Sequence, residues 1–428
     1  MRILITGATG FIGHALVETL GCEGHDLILV SRSRPQAGVK HEWRCMDFAS
    51  VHSANDWREL VKDIDLVINA VGIFSQTSRQ RFVDLHDKAP RALFKAAHKA
   101  GVKRIIQISA LGTDERATSA YHLSKKCADD ALARLDMEWV ILRPSLIIGK
   151  EGVSWRFFQA LAALPFVPVI GDGQQVLQPV TIEDVSKAVL AAMKRDEPIG
   201  QRINLVGAEQ VTLSQYLQKL SIWLGSKEFR TVFIAYGPAG LLAAMIPLLG
   251  HFPLNGDALT MLKETRTFEG DDGLKKLGLT PAGLSPYLAQ NPSTRAQRNE
   301  AKQVFLRPLL RIALAFMWIM AAVASLLLTP HAQSLALLEK LGLQGGAGLL
   351  ALYGAAFLDL ALGIALLARF HIRQVAVVQI ILIAGYTLVL TIVTPFMWSD
   401  PFGVLVKNIP LIIATMLMMS WQEEQEHV

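Results

Sequence analysis

A tyrosine and a lysine four residues apart, Tyr121 and Lys125, are the pair in this sequence best suited to moving a proton. On a helix that spacing puts both side chains on one face. An ammonium beside a phenol favours the phenolate, drawing the tyrosine down from an ordinary value of about 10 towards the range of a useful general acid or base. A second constellation stands near the N-terminus, Thr6-Gly7-Ala8-Thr9-Gly10-Phe11-Ile12-Gly13. Each glycine has its own reason to be there: Gly7 permits a tight turn, Gly10 lets the backbone approach a pyrophosphate, and Gly13 lets a helix pack close to a strand. Free N–H groups and the positive end of the helix then face phosphates. Binding of a dinucleotide by Gly7, Thr9, Gly10, Phe11, Ile12 and Gly13 is the expected chemistry.

The end of the second strand discriminates between the two nicotinamide cofactors. NAD sites place an acid there for the ribose 2′-hydroxyl, whereas NADP sites supply arginine for a phosphate. The sequence reads Val30-Ser31-Arg32-Ser33-Arg34, without an acid, so NADP is expected and NAD is the alternative. Asp47, after the third strand, suits either a hydrogen bond from the adenine amino group or a cap on the turn with Ser50.

These residues need a scaffold of alternating strands and helices. Apolar runs of strand length occur at Ile3–Thr6, Leu27–Val30, His41–Cys45, Leu66–Ala70, Arg104–Ile108 and Trp139–Leu142, with a helix over Phe11–Leu20 after the first. Most are continuous apolar runs, as in strands covered by helices on both faces. The fold class is therefore α/β, a Rossmann doubly wound parallel sheet. Glu183 and Asp184 open a further helical period and read as first-turn acids suited to the helix dipole.

In their order, these features resemble the extended and atypical short-chain dehydrogenase/reductase superfamily. The resemblance covers about Met1 to Leu288. It rests on the glycine turn, Asn69-Ala70-Val71-Gly72, Ile106-Gln107-Ile108-Ser109-Ala110, Tyr121-His122-Leu123-Ser124-Lys125, Leu142-Arg143-Pro144-Ser145 and Pro179–Val185. Within it the chain looks most like the branch related to the 39 kDa nucleotide-binding subunit of respiratory complex I. The resemblance implies that Ala70, Gly72 and Lys125 adjoin the cofactor, with Lys125 on the nicotinamide ribose, and that a smaller substrate portion occupies about 153–287. It implies a catalytic Ser or Thr after the fifth strand. Here the usual position is Ala110, leaving Ser109, Thr113 or Ser119 to fill the role, or the hydride chemistry weakened or lost.

The 428 residues exceed one ordinary core, and 51% are hydrophobic against 18% charged. The excess lies beyond Val304. The expected organisation is a Rossmann domain over 1–289, a linker over 290–303 and an all-α four-helix transmembrane bundle over 304–428. Its spans are Leu309–Leu328, Gly348–Ala368, Val375–Thr394 and Gly403–Met419, each close to the length of about 20 residues a bilayer requires. This half is similar to the DoxX-like family, through its hydropathy and the Phe357-Leu358-Asp359-Leu360 region. Asp359 is an acid well inside a helix; its mundane role is a hydrogen bond to Tyr353, Tyr386 or a threonine of another helix. The uncharged run Thr231–Pro253, broken by glycine and proline, suits a pocket lid or a segment dipping into the membrane interface.

Basic residues flank the spans unevenly: Arg295, Arg298, Lys302, Arg307 and Arg311 precede the first, and Arg369, His371 and Arg373 lie between the second and third. The positive-inside rule then places the N-terminal domain and the C-terminus in the cytoplasm, in a multi-pass protein of the inner (cytoplasmic) membrane. No signal peptide is expected, because a strand-like run opens the chain. The net charge of +5 comes without a basic cluster interleaved with aromatics, so no nucleic-acid partner is expected. Cys22, Cys45 and Cys127 have neither disulfide-framework nor metal-ligand spacing, and no metal is expected. Two functions follow. One is an NAD(P)-dependent oxidoreductase or epimerase, with Tyr121, Lys125 and Ser109 acting at a carbonyl or hydroxyl carbon of a lipophilic small molecule. The other is a non-catalytic NADP(H)-binding structural, assembly or redox-sensing protein of a membrane complex.

Overall fold

The computed structural model describes the chain apart from residues 33–40, 78, 242–255, 264–272, 402 and 427–428, and apart from the side chains beyond Trp421. Arg34 and most of the uncharged run after Leu241 lie outside the described residues. The described residues form two compact units, one reaching to Ala301 and one beginning at Lys302.

The first unit is built on a seven-stranded sheet: β1 (Arg2–Thr6), β2 (Asp26–Ser31), β3 (Glu42–Cys45), β4 (Leu66–Asn69), β5 (Arg104–Ile108), β6 (Glu138–Pro144) and β7 (Gln201–Leu205). The order is β7-β6-β5-β4-β1-β2-β3, with all pairs parallel. Six strands agree with the sequence to within two residues at either end; β7 was not expected. Alternation sends Ile3, Ile5, Leu27 and Leu29 to one face, where Leu16, Leu20, Val185 and Val189 of helices α1 (Phe11–Cys22) and α4 (Ile182–Lys194) cover them. Leu4, Ile28, Val30 and Val67 point the other way, beneath Leu93, Ala97 and Leu132 of α2 (Ala89–Lys99) and α3 (Ala120–Leu132). Each such side chain contributes about 1.5–3 kcal/mol when fully buried. Strand order reverses between β1 and β4, which opens a crevice at their C-terminal ends, the place where doubly wound sheets bind ligands.

Thr181, rather than the acids after it, caps α4, accepting from the Asp184 N–H at 3.0 Å. Asp184 instead ties down a distant segment through the Ala282 N–H, at 2.8 Å. The buried guanidinium of Arg104 at the start of β5 closes the other end of α4, donating to the carbonyls of Ala192 and Arg195, both at 2.8 Å. A smaller portion adds the parallel pair Val167–Ile170 and Thr231–Ile234, packed on an apolar cluster around Trp155, Tyr216 and Leu220.

The polar stretch expected as a linker, which runs into the second unit, is largely helical. Helix α5 (Arg295–Val323) starts there because Thr294 and Gln297 form a reciprocal cap, with Gln297 N–H donating to Thr294 Oγ1 at 3.2 Å and Thr294 N–H to Gln297 Oε1 at 2.9 Å. Helices α6 (Gly345–Leu367), α7 (Ile372–Val393) and α8 (Asn408–Glu426) follow. Among the described residues three helices are long and apolar enough to cross a membrane, those over Arg295–Leu328, Gly345–Leu367 and Ile372–Val393. Of the fourth expected span, residues 404–407 form turns, with Gly403 at φ 63°, and the helix begins at Asn408. Leu314, Trp318, Leu362, Ala376 and Met418 form the core of the unit. Asp359 is 7% exposed, and its Oδ1 has no hydrogen-bond partner among the described residues, so the expected bond to Tyr353, Tyr386 or threonine is not made through that oxygen.

Candidate active site

At the C-terminal edge of the sheet a buried polar relay joins three strands. Thr6 Oγ1 donates to Asn69 Oδ1 at 2.6 Å, and Asn69 Nδ2 donates to Gln107 Oε1 at 2.7 Å. Above it the backbone of the glycine turn presses on the loop after β4. Gly7 has φ +72°, and a Cβ on it would lie 2.9 Å from the carbonyl carbon and oxygen of Ala70. On Gly13 a Cβ would come within 2.1 Å of the Gly7 oxygen, so only glycine allows this approach of α1. The residue before α1, Gly10, caps it with no side-chain bond, and the first-turn N–H groups have no intrahelical acceptor. A group of amide donors at a helix start, uncovered by any side chain, fits a diphosphate.

Tyr121 and Lys125 lie on α3 as their spacing requires. Lys125 is 5% exposed; its Nζ stands 5.8 Å from the centre of the Tyr121 ring and donates to the Ile108 carbonyl at 3.1 Å. Burial pushes the ammonium down to about 8, opposed by the charge of Asp129. The expected lowering of the phenol is not found. Burial raises the Tyr121 pKa. Tyr121 is thus a neutral phenol.

The three hydroxyls considered for the third catalytic position are all engaged elsewhere. Ser109 Oγ donates to Asp129 Oδ2 at 2.6 Å, and Thr113 Oγ1, fully buried, lies 2.9 Å from the Ala110 carbonyl and 3.3 Å from the same carboxylate oxygen. Ser119 caps α3, accepting from the His122 N–H at 3.2 Å. Asp129, the acceptor behind Ser109, is wholly buried; burial raises its pKa, with the Ser109 bond and the Arg143 charge pulling the other way. Sequence reasoning missed Asp129, and it missed His86, 2% exposed and edge-on to Tyr121 at 5.4 Å between ring centres.

A cavity of about 590 Å³ runs through the unit. Its lining includes Gly10, Phe11, Ile12, Ala70 and Gly72, with Ser109, Ala110, Tyr121 and Lys125, and the apolar Phe157, Leu161, Leu177, Leu217 and Leu262. Thr9 and Arg32 are exposed, Arg32 just beyond β2. Asp47 is exposed and bends its own turn, Oδ1 accepting from the Ala49 N–H at 3.0 Å while Ser50 bonds the Asp47 carbonyl. The three cysteines are free and exposed, and among the described residues no cluster of metal-ligating side chains occurs.

Residues 3–206 match the NAD dependent epimerase/dehydratase family and residues 315–416 the DoxX-like family. The mitochondrial NADH dehydrogenase [ubiquinone] 1 alpha subcomplex subunit 9 of Mus musculus is 29% identical over 223 residues, 49% of this chain and 57% of that protein. The ceramide reductase of Caulobacter vibrioides is 29% identical over 194 residues, 44% of this chain and 60% of that one. The chain thus spans less than two thirds of either relative. In fold it is similar to an NADPH-dependent quinone oxidoreductase from Escherichia coli complexed with NADPH, at TM-score 0.55 and 18% identity, over 67% of this chain and 99% of that one. The chain joins an N-terminal domain of the NAD dependent epimerase/dehydratase family to a membrane-associated C-terminal domain of the DoxX-like family.

Proposed function

We propose that the protein is a membrane-anchored NAD(P)-dependent oxidoreductase or epimerase, NADP-preferring, that acts at a carbonyl or hydroxyl carbon of a lipophilic small molecule. One observation carries this reading: one cavity is lined by Gly10, Phe11 and Ile12 of the glycine turn, by Tyr121 and Lys125, and by the apolar Phe157, Leu161, Leu177 and Leu217. Gly7, Gly10, Gly13 and the first turn of α1 would hold the diphosphate, Arg32 a 2′-phosphate, Asp47 the adenine, Ala70 and Gly72 the backbone wall, and Lys125 the ribose. When bound, the nicotinamide supplies or accepts a hydride. Tyr121, held as a neutral phenol by burial, gives its proton to a carbonyl oxygen and takes one from a hydroxyl in the reverse direction. Phe157, Leu161, Leu177 and Leu217 exclude water and accept an apolar chain. The catalytic unit and the C-terminus face the cytoplasm across an inner membrane, following the flanking basic residues.

The engagement of Ser109 with Asp129, and alanine at position 110, favour a second reading, that of an NADP(H)-holding structural, assembly or redox-sensing protein of a membrane complex. Tyr121→Phe separates the two. With full-length protein in mild detergent and a panel of long-chain ketones and aldehydes, the enzyme reading expects NADPH binding retained and NADPH oxidation lost. Turnover absent from the unaltered protein favours the second; turnover unchanged in the variant removes Tyr121 from the reaction.

A further inference from the structure

We propose that His86 is a positioning residue: a neutral clamp, protonated at Nδ1, that fastens the loop after β4 to the helix carrying Tyr121 and Lys125. The inference rests on the reading of that helix as the reacting face. His86 lies in a π-helical turn, Val83–Lys88, immediately before α2. Its ring stacks on Phe82, at 5.1 Å and 15°, and meets Tyr121 edge-on at 5.4 Å and 88°, so its orientation is fixed by packing.

The hydrogen bonds admit one tautomer. Ile73 N–H can only donate, and it lies 3.0 Å from His86 Nε2, so Nε2 bears the lone pair and Nδ1 the proton. Nδ1 is 3.0 Å from Ser124 Oγ, which spends its own proton on the Tyr121 carbonyl at 2.8 Å and so accepts from the ring. The chain Ile73, His86, Ser124, Tyr121 therefore runs in one direction from the loop to the helix. A Cβ on Gly72 would lie 3.5 Å from Lys125 Nζ and 3.7 Å from His86 Nε2, so the loop backbone abuts both side chains.

A protonated ring would lose the Ile73 bond and face the Lys125 ammonium. Among the described residues no ion pair joins His86 to a carboxylate: on its own turn Asp84 pairs with Lys88 and Asp87 with Arg91, while Tyr121 across from it is neutral. Burial and Lys125 accordingly hold the His86 pKa well below its ordinary value. A solitary buried histidine ordinarily reads as a core residue, but each ring nitrogen here links a different element of the site.

Amide hydrogen exchange of full-length, ligand-free protein in detergent tests the clamp through residues 71–74. His86→Phe keeps the stacking and removes both bonds; His86→Gln restores an acceptor for Ile73; His86→Asn reaches only Ser124. The expected result is exchange of 71–74 about tenfold faster in the Phe and Asn variants, near the original rate in the Gln variant, and unchanged over β5 in all three. NADPH affinity, read from fluorescence in the same samples, should follow that order. Equal exchange at 71–74 in His86→Phe and the unaltered protein, or a Gln variant as fast as Phe, would overturn the clamp. Failure of the unaltered protein to bind NADPH would sink the proposed function instead, with the exchange rates still deciding the clamp.

Discussion

The hydroxyl of Ser109, at the end of β5, donates to the buried carboxylate of Asp129 across 2.6 Å. Ala110, its neighbour, lines the same cavity as Ser109. Ser109→Ala should therefore act on stability, costing about 1–3 kcal/mol by stripping a buried carboxylate of a donor, and leave turnover of the folded protein nearly unchanged. Thermal unfolding in detergent and steady-state NADPH oxidation check the two halves. Ala110→Ser should raise turnover about tenfold or more, by placing a hydroxyl where a substrate oxygen can reach it. A rate lost in Ser109→Ala, without loss of fold, would show that the serine reacts after all.

Lys125 gives a pH signature. Its ordinary value is 10.5, and burial brings it to about 8. Between those values the unfolded chain holds more protons than the folded one, so stability rises with pH. The cost of burying the ammonium, roughly 3 kcal/mol, is fully present below about pH 8 and gone above about pH 10.5. Lys125→Met should therefore raise the unfolding temperature of ligand-free protein at pH 7, with the advantage fading as the pH climbs through that window, while NADPH affinity falls. Unfolding curves from pH 7 to 10.5 would show a constant difference if the ammonium were not desolvated.

Arg32 stands exposed just past β2, the position from which a basic side chain reaches a 2′-phosphate. Arg32→Ala should weaken NADPH binding about tenfold and leave NADH binding within about twofold, since only one cofactor carries that phosphate. Equal losses for both, by fluorescence titration, would remove Arg32 from the cofactor site.

How much of this could be read from residues alone varies with the physics. β1, β2, β4 and β5 are continuous apolar runs because both faces of the sheet are covered, and such runs announce themselves. β7 does not: it opens with the exposed Gln201 and Arg202, and only Ile203 and Leu205 are buried. The glycine turn was readable because each glycine answers a steric demand, confirmed at Gly7 and Gly13 by the distances to Ala70 and Gly7. Tyr121 and Lys125 were readable from helical spacing, but the pKa of the phenol was not, since it is set by burial that only the fold creates. His86 and Asp129 were invisible for a similar reason. Their partners, Ile73, Ser124, Ser109 and Thr113, come from separate segments that only the fold brings together. Beyond Leu288 hydropathy located the apolar runs but hid the start of α5, where a polar cap at Thr294 and Gln297 begins the helix 14 residues before Leu309.

The most direct measurement is titration of the purified full-length protein, in mild detergent, with NADPH and NADH, following cofactor fluorescence. Saturable binding of NADPH, tighter than that of NADH and abolished by Gly13→Ala, whose Cβ would lie 2.1 Å from the Gly7 oxygen, is the expected result. Folded protein that binds neither cofactor would contradict the assignment of the glycine turn as a diphosphate cradle, and with it the chemistry assigned to Tyr121.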